Sequence, residues 1–193
     1  MIDLSLNEVE TLSAKAARGA GFSWGLAEDI GRAARRLAVE HENWGHAMLS
    51  LVEDAQSFEP PDAARVQRWR SGTADAATDR PLCPIRTAAL LLDDPPPMGA
   101  IPLTILNVGL PAWLDAMLSR SRMCLAKPVA QSTSPADVVV ETRIEVIQPI
   151  AGRRGAIDER TLAALNCFAA KTYVPESERS RVRGAGGGRV DDE

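Results

Sequence analysis

Ser5-Leu-Asn-Glu-Val-Glu-Thr-Leu-Ser-Ala-Lys-Ala-Ala-Arg-Gly19, then Ala20 to Ser23, then Trp24-Gly-Leu-Ala-Glu-Asp-Ile-Gly-Arg-Ala-Ala-Arg-Arg-Leu-Ala38 is the stretch that decides the fold. Ser5 and Glu8 have the spacing of a capping box, in which the serine hydroxyl and the glutamate carboxylate each take up a backbone N–H at the helix start. Leu6, Val9, Leu12 and Ala16 recur at helical spacing, and Gly19 and Gly21 end the helix. Ser23 opens a second helix whose stripe is Leu26, Ala27, Ile30, Ala33, Ala34, Leu37 and Ala38. Glu28 and Asp29 sit near its positive N-terminal end, and Arg32, Arg35 and Arg36 fall mostly on the solvated side. The connection is short, so the two helices form an antiparallel pair.

Outward from this pair, Gly45 to Ser57 reads as a third helical segment carrying Met48, Leu51, Val52 and Ala55. Residues 59–81 are rich in Pro, Gly, Thr and Asp, with a short helix suggested around Arg65 to Arg70. Cys83 to Leu92 and Ile101 to Leu110 are apolar runs, each consistent with a buried strand or a buried helix, because periodicity does not separate the two in short runs. Pro111 suits a first helical position, followed by Trp113, Leu114, Met117 and Leu118. Asp137 to Gln148 alternates: Val138, Val140, Thr142, Ile144 and Val146 on one face, Val139, Glu141, Arg143, Glu145 and Ile147 on the other. That pattern predicts a strand with one wet face. Gly152-Arg-Arg-Gly155 reads as a turn, and Asp158 as the cap of a last helix whose stripe is Leu162, Leu165, Phe168 and Ala169.

These elements imply an α+β fold: an N-terminal antiparallel helix pair, a mixed middle with a small sheet, and a C-terminal helix followed by a Gly-rich tail. At 193 residues the chain fits a single domain, with a helical part over 1–58, an α+β part over 82–174 and an Arg/Gly-rich tail over 175–193. Hydrophobic residues make up 45% and charged residues 25%, as in an ordinary soluble globule. Aromatics are only 4%, so aliphatic side chains and alanines must fill the core.

A net charge of −4 argues against a general nucleic-acid binder, which carries a basic face. The N-terminus has neither a basic nor an apolar leader region, and Met98 to Leu118 is too interrupted by Pro, Gly, Asn and Asp for a membrane span. A cytoplasmic protein is expected. Cys83, Cys124 and Cys167 lie about forty residues apart with no Cys-x-x-Cys spacing, which suggests reduced, partly buried thiols and no structural metal. His41 and His46 are five apart, a spacing that does not share a helix face, so a metal pair is not expected there.

Two end stretches, "LSLNEVETLSAKAARGAGFSWGLAEDIGRAARRLA" and "KTYVPESERSRVRGAGGGRVDD", resemble an uncharacterised bacterial domain-of-unknown-function family of about this length. The middle matches that pattern only loosely, around "CPIRTAALL". The resemblance implies no activity, since the family has no assigned catalytic residues to carry over. The opening helices and Gly45-His46-Ala47 also echo the malate/L-lactate dehydrogenase family, which has Ser-His-Gly there. This chain is much shorter and shows no nucleotide fingerprint, so the echo is one of helical pattern.

The candidate chemistry lies at two places. Lys15 and Arg18 share a face beside the first inter-helix turn, near Trp24 and the free N–H groups of a helix start, where anions are favoured. The tail offers Ser177, Ser180, Arg181 and Arg183, then Gly184-Ala-Gly-Gly-Gly188, in which Gly184 and Gly186 bring backbone N–H groups close to a ligand. Arginine forks bind carboxylate or phosphate at two points. Tyr173, the only tyrosine, stands just ahead of this segment as a wall or proton donor. The tail is no Walker loop, because no Gly-Lys-Ser/Thr follows, and no serine or cysteine lies in a nucleophile elbow. The pattern implies a site for a small anionic metabolite. The alternatives are a non-catalytic subunit docking on a partner, which surface-clustered Trp44, Trp69 and Trp113 would favour, and a homodimer of paired Ala-rich helices.

Overall fold

The computed structural model describes residues 1–61, 73–74, 79–96, 101–119, 121–127, 134–142 and 154–173. The short helix expected at Arg65 to Arg70, Trp69, the second half of the Asp137 to Gln148 strand and the whole tail from Val174 lie outside these residues.

Helix α1 (Leu6–Gly19) starts on the capping box: the Ser5 N–H donates to Glu8 Oε2 at 2.7 Å and the Glu8 N–H to Ser5 Oγ at 3.3 Å. Its buried side is Leu6, Val9, Ser13, Ala16 and Ala17. Gly21, with φ +100°, turns the chain. Helix α2 (Trp24–Glu40) then buries Ala27, Ile30, Gly31, Ala33, Ala34, Leu37 and Ala38, the expected stripe with Leu26 at its margin. Ser23 holds the cap position without a side-chain hydrogen bond. The pair is antiparallel: Arg35 near the end of α2 donates to Asn7 Oδ1 at 3.1 Å, at the start of α1. Arg36 departs from the solvated side, with a side chain only 13% exposed and paired to Glu40 Oε1 at 2.7 Å.

The third helix, α3 (Trp44–Glu53), is shorter than the sequence suggests. Arg80 explains the stop, donating to the carbonyls of Gln56 (2.5 Å), Ser57 (2.8 Å) and Phe58 (3.1 Å) just past the helix end.

Beyond the third helix come β2 (Thr73–Ala74), α4 (Pro84–Asp93), β3 (Leu103–Val108), α5 (Pro111–Leu118), β4 (Met123–Leu125) and β5 (Ala136–Thr142). The two ambiguous apolar runs resolve differently. Pro84 is a first helical residue, and Ile85, Ala88 and Leu91 form a three-residue-spaced buried stripe. Leu103 and Ile105 alternate inward instead and pair with β5. The four-stranded sheet has the order β2-β3-β5-β4, with β2 parallel to β3 and β5 antiparallel to both β3 and β4.

Asn107 marks a register shift in β3. It adopts φ 54°, tolerable for asparagine, and its N–H reaches Asp137 Oδ1 at 2.8 Å. In β5, Val138 and Val140 are buried while Val139 and Glu141 are exposed, as the alternation requires. Thr142 does not continue the inward row; it is exposed at the end of the strand.

A strand absent from the sequence reading opens the chain. β1 (Ile2–Ser5) pairs antiparallel with β6 (Arg154–Ile157), Ile2 facing Ile157 and Ser5 facing Arg154. Arg154 and Gly155 are therefore strand residues and not part of a turn. The glycine serves close approach: a Cβ on Gly155 would lie 3.0 Å from Trp44 Nε1 and from Ala38 Cβ. Trp44 in turn donates to the Ala156 carbonyl at 2.8 Å, fastening α3 to the ribbon. Asp158 then caps α6 (Glu159–Ala170), accepting the Thr161 N–H at 2.9 Å. A Cβ on Gly19 would sit 1.8 Å from the Phe168 carbonyl oxygen, so only glycine lets the end of α1 lie against α6.

One cluster of buried side chains runs from Leu6 through Ile105 to Leu165 and joins the helices to the sheet. The architecture is α+β. Trp44 and Trp113 are each 1% exposed, and Trp113 donates to the Ala47 carbonyl at 3.2 Å; the two rings belong to this core and not to a surface cluster. Among the described residues no helix is long and apolar enough to cross a membrane.

Candidate ligand groove between the first and last helices

Helical spacing places Asn7, Thr11 and Lys15 in one row on α1, with Glu8 and Leu12 in the next. Opposite them α6 presents Asn166 and Ala169, and Tyr173 follows three residues after the helix ends. Together these residues line an open groove of about 340 Å³. Gly19, where α1 lies against the α6 backbone at Phe168, is four residues beyond Lys15.

The Lys15 ammonium stands 5.8 Å from the centroid of the Tyr173 ring, within cation–π range. Tyr173 lines the groove yet is 63% exposed, so much of it is open to water. No carboxylate among the described residues pairs with Lys15. Glu8, at the other end, has its pKa held below the usual carboxylate range, first by the Ser5 hydroxyl and backbone hydrogen bonds and last by the Arg154 charge. It is therefore an anion at neutral pH.

Lys15 and Thr11 also border a second groove of about 410 Å³ between α1 and α2, with Glu10, Ala14, Glu28 and Arg32. The charges there are already matched: Arg32 meets Asp29 at 2.5 Å and Glu28 at 3.5 Å, and Glu10 meets Arg35 at 3.4 Å. Lys15 is the unmatched one.

The residues singled out from sequence thus separate. Lys15 and Tyr173 come together in the groove. Arg18 and Trp24 come together elsewhere, at the α1–α2 turn: the guanidinium lies 4.5 Å from the Trp24 ring centroid and donates to the Phe22 carbonyl. Neither lines the groove. Ser177, Ser180, Arg181, Arg183, Gly184 and Gly186 lie outside the described residues. Thr11 and Asn166 are groove residues that the sequence reading passed over. Thr11 could have been found from its place midway between Asn7 and Lys15, whereas nothing local marks Asn166.

Elsewhere, His41 closes α2 and His46 sits in the first turn of α3. The His46 Nε2 lies 3.7 Å from Asp158 Oδ2 and 3.5 Å from Thr161 Oγ1. Asp158 has its pKa lowered, by the Thr161 hydrogen bonds first and by His46 to a smaller extent. No group of three or more His, Cys, Asp or Glu residues suited to a metal ion occurs among the described residues. The three cysteines are unpaired: Cys83 is buried, which pushes its thiol pKa up, Cys124 is half-buried, and Cys167 is exposed where a partly buried thiol was expected.

Residues 4–49 match the family model of a protein of unknown function, DUF3726. The match covers α1, α2 and the first six residues of α3, including Asn7, Glu8, Thr11 and Lys15 from one wall of the groove, and supports the resemblance to a domain-of-unknown-function family. No curated protein and no solved structure matches the chain.

Proposed function

We propose that this is a bacterial cytoplasmic protein that binds a small anionic metabolite in the α1–α6 groove. The observation that carries the reading is Lys15: a cation with no carboxylate partner among the described residues, set beside an aromatic ring in a groove large enough for a small molecule. An ammonium left unpaired at a concave site attracts an anionic group, and the Tyr173 ring gives that group's carbon skeleton a flat surface to rest on. The Arg/Gly-rich tail over 175–193 follows Tyr173 in the sequence, and this reading assigns the further donors an anion needs to its Ser177, Ser180, Arg181 and Arg183 and to the N–H groups of Gly184 and Gly186. Arg18 has a structural part instead, fixing the turn through the Phe22 carbonyl.

A thermal-shift screen of the full chain against carboxylates and phosphates tests this reading, with Lys15→Ala, Arg18→Ala and a chain cut before Gly184 in parallel. The expected result is a ligand that raises the Tm of the intact protein and of Arg18→Ala, with a smaller rise for Lys15→Ala and for the shortened chain. An equal rise in Lys15→Ala would overturn the assignment of the groove.

A second reading, a subunit that docks on a protein partner, has one observation in its favour. Trp24 is 69% exposed and is stacked by Arg18, and tryptophan and arginine are the residue types most concentrated at interface hot spots. Loss of partner capture on Trp24→Ala, with ligand shifts intact, would separate the two.

A further inference from the structure

The groove is charged at both ends, and the two ends have opposite sign. Glu8 and Lys15 are seven residues apart on α1, so their Cα atoms are separated by about 10 Å at the helical rise per residue. Both side chains line the groove. Glu8 engages Ser5 through Oε2, at 2.7 Å from the backbone N–H, while its other carboxylate oxygen has no hydrogen bond among the described residues. The cation nearest in influence, Arg154, is committed elsewhere, donating to the Asp3 carbonyl at 3.1 Å. One end therefore offers a carboxylate oxygen and the other an ammonium beside a phenol.

Between these ends stand groups suited to peptide bonds. Asn166 presents a carboxamide, which carries both a donor and an acceptor as a peptide unit does. The Asn7 Oδ1 already accepts from Arg35 at 3.1 Å, which leaves its NH₂ to donate. Thr11 adds a hydroxyl, and Leu12 and Ala169 add an apolar strip. A purely anionic ligand long enough to fill this space would meet repulsion at Glu8, whereas a dipolar one satisfies both ends.

We infer that the groove takes a dipolar ligand, an unblocked peptide about three residues long, whose amino end meets Glu8 and whose carboxylate end meets Lys15 and Tyr173. The length follows from the span: an extended residue covers about 3.3–3.6 Å, so three residues match the roughly 10 Å between the charged positions. The carboxylate end rests on the reading proposed above; the cationic end and the peptide character are additional to it.

The test is a titration of the full-length ¹⁵N-labelled protein at low salt with three probes: tri-alanine, N-acetyl-tri-alanine and tri-alanine amide. Tri-alanine should shift the amide signals of α1 from Asn7 to Lys15 and of Asn166. Blocking either end should weaken binding about two- to fivefold, the range for loss of one exposed ion pair. In Glu8→Gln the acetyl block should lose its effect while the amide block keeps it. Glutamine at this position still closes the capping box, so the variant keeps its helix start.

Equal affinity for the acetylated and free peptides would overturn the dipolar assignment and leave the anion reading standing. So would a protein that ignores all three peptides yet shifts at Lys15 and Tyr173 with propionate or inorganic phosphate. A protein that responds to none of these probes would overturn both.

Discussion

The α1–α2 layer and the β3–β5 sheet with α5 are packed in opposite ways. In the first, most of the buried positions are small, with Ala16, Ala17, Ala27, Ala33, Ala34 and Ala38 beside the larger Leu6, Val9, Ile30 and Leu37, and backbones come close: a Cβ on Gly31 would lie 2.7 Å from the Glu10 carbonyl oxygen. In the second, the interior is Leu103, Ile105, Trp113, Leu114, Leu118 and Val140, large side chains that fill volume between elements. The layer of small residues leaves almost no free space to lose, and the layer of large ones has little tolerance for a missing group. The first is fragile to added atoms and the second to deleted ones, and each weakness follows from the same close packing of protein interiors.

The largest expected effect is in the sheet. Leu103→Ala should cost about 2–5 kcal/mol by urea denaturation, the range for opening a cavity at a fully buried leucine. Because one buried cluster joins the two regions, far-UV circular dichroism and tryptophan fluorescence should still report one coincident transition; separate midpoints would break the picture of a shared core. Gly19→Ala comes next. Its added methyl is aimed at a backbone oxygen that no rotamer change can remove, and the expected loss is about 2–3 kcal/mol. A loss below about 0.5 kcal/mol would mean that α1 and α6 slide apart freely and that the first layer is not tight.

Smaller effects sharpen the contrast within the helical layer itself. Ser5→Ala should cost about 1 kcal/mol, the usual worth of an N-cap. The same cap gives an acid signature. The Glu8 pKa is lower folded than unfolded, so its contribution is fully present above the ordinary carboxylate range and fades as pH falls through the folded pKa. The stability gap between wild type and Glu8→Gln should therefore be widest near neutrality and close on acidification, in melts run from pH 7 downward. Last, Gly25→Ala should stabilise by about 0.5–1 kcal/mol. It lies in α2 with nothing within 4 Å of an added Cβ, so only the helix propensity changes.

The two regions were also unequally legible in the sequence, for a related reason. The helix pair announces itself locally, through Ser5 and Glu8 at capping distance and alanines at helical spacing, and both features survive in the structure. Cys83 to Leu92 and Ile101 to Leu110 look alike because each is short and apolar; Pro84 favours a helix, but β3 is a strand only because β5 lies beside it. Ile2–Ser5 carries no strand signal of its own, and Gly155 looks like a turn residue because its actual neighbour, Trp44, is over a hundred positions away.

The groove divides along the same line. Lys15 and Tyr173 stand out in the sequence by residue type and place, and they do meet. Arg18 stands out on the same grounds, yet the Phe22 carbonyl and the Trp24 ring engage it. Asn166 is not legible in the sequence because its place in the groove depends on which face of α6 lies against α1, a tertiary fact with no local mark.

The β1–β6 ribbon has a consequence for how this protein is made. Ile2 is synthesised well ahead of its partner Ile157, which is added about 150 residues later, an interval of roughly 8–30 s at ordinary elongation rates. During that time α1 and α2 can pair, but the ribbon strand ahead of them and the groove wall supplied by α6 do not yet exist. The apolar side chains that will face α6, Leu12 among them, stay wetted until α6 arrives. A newborn chain that halts before residue 154 has a helix pair and no groove, so a completed groove doubles as a signal that synthesis has reached the last helix.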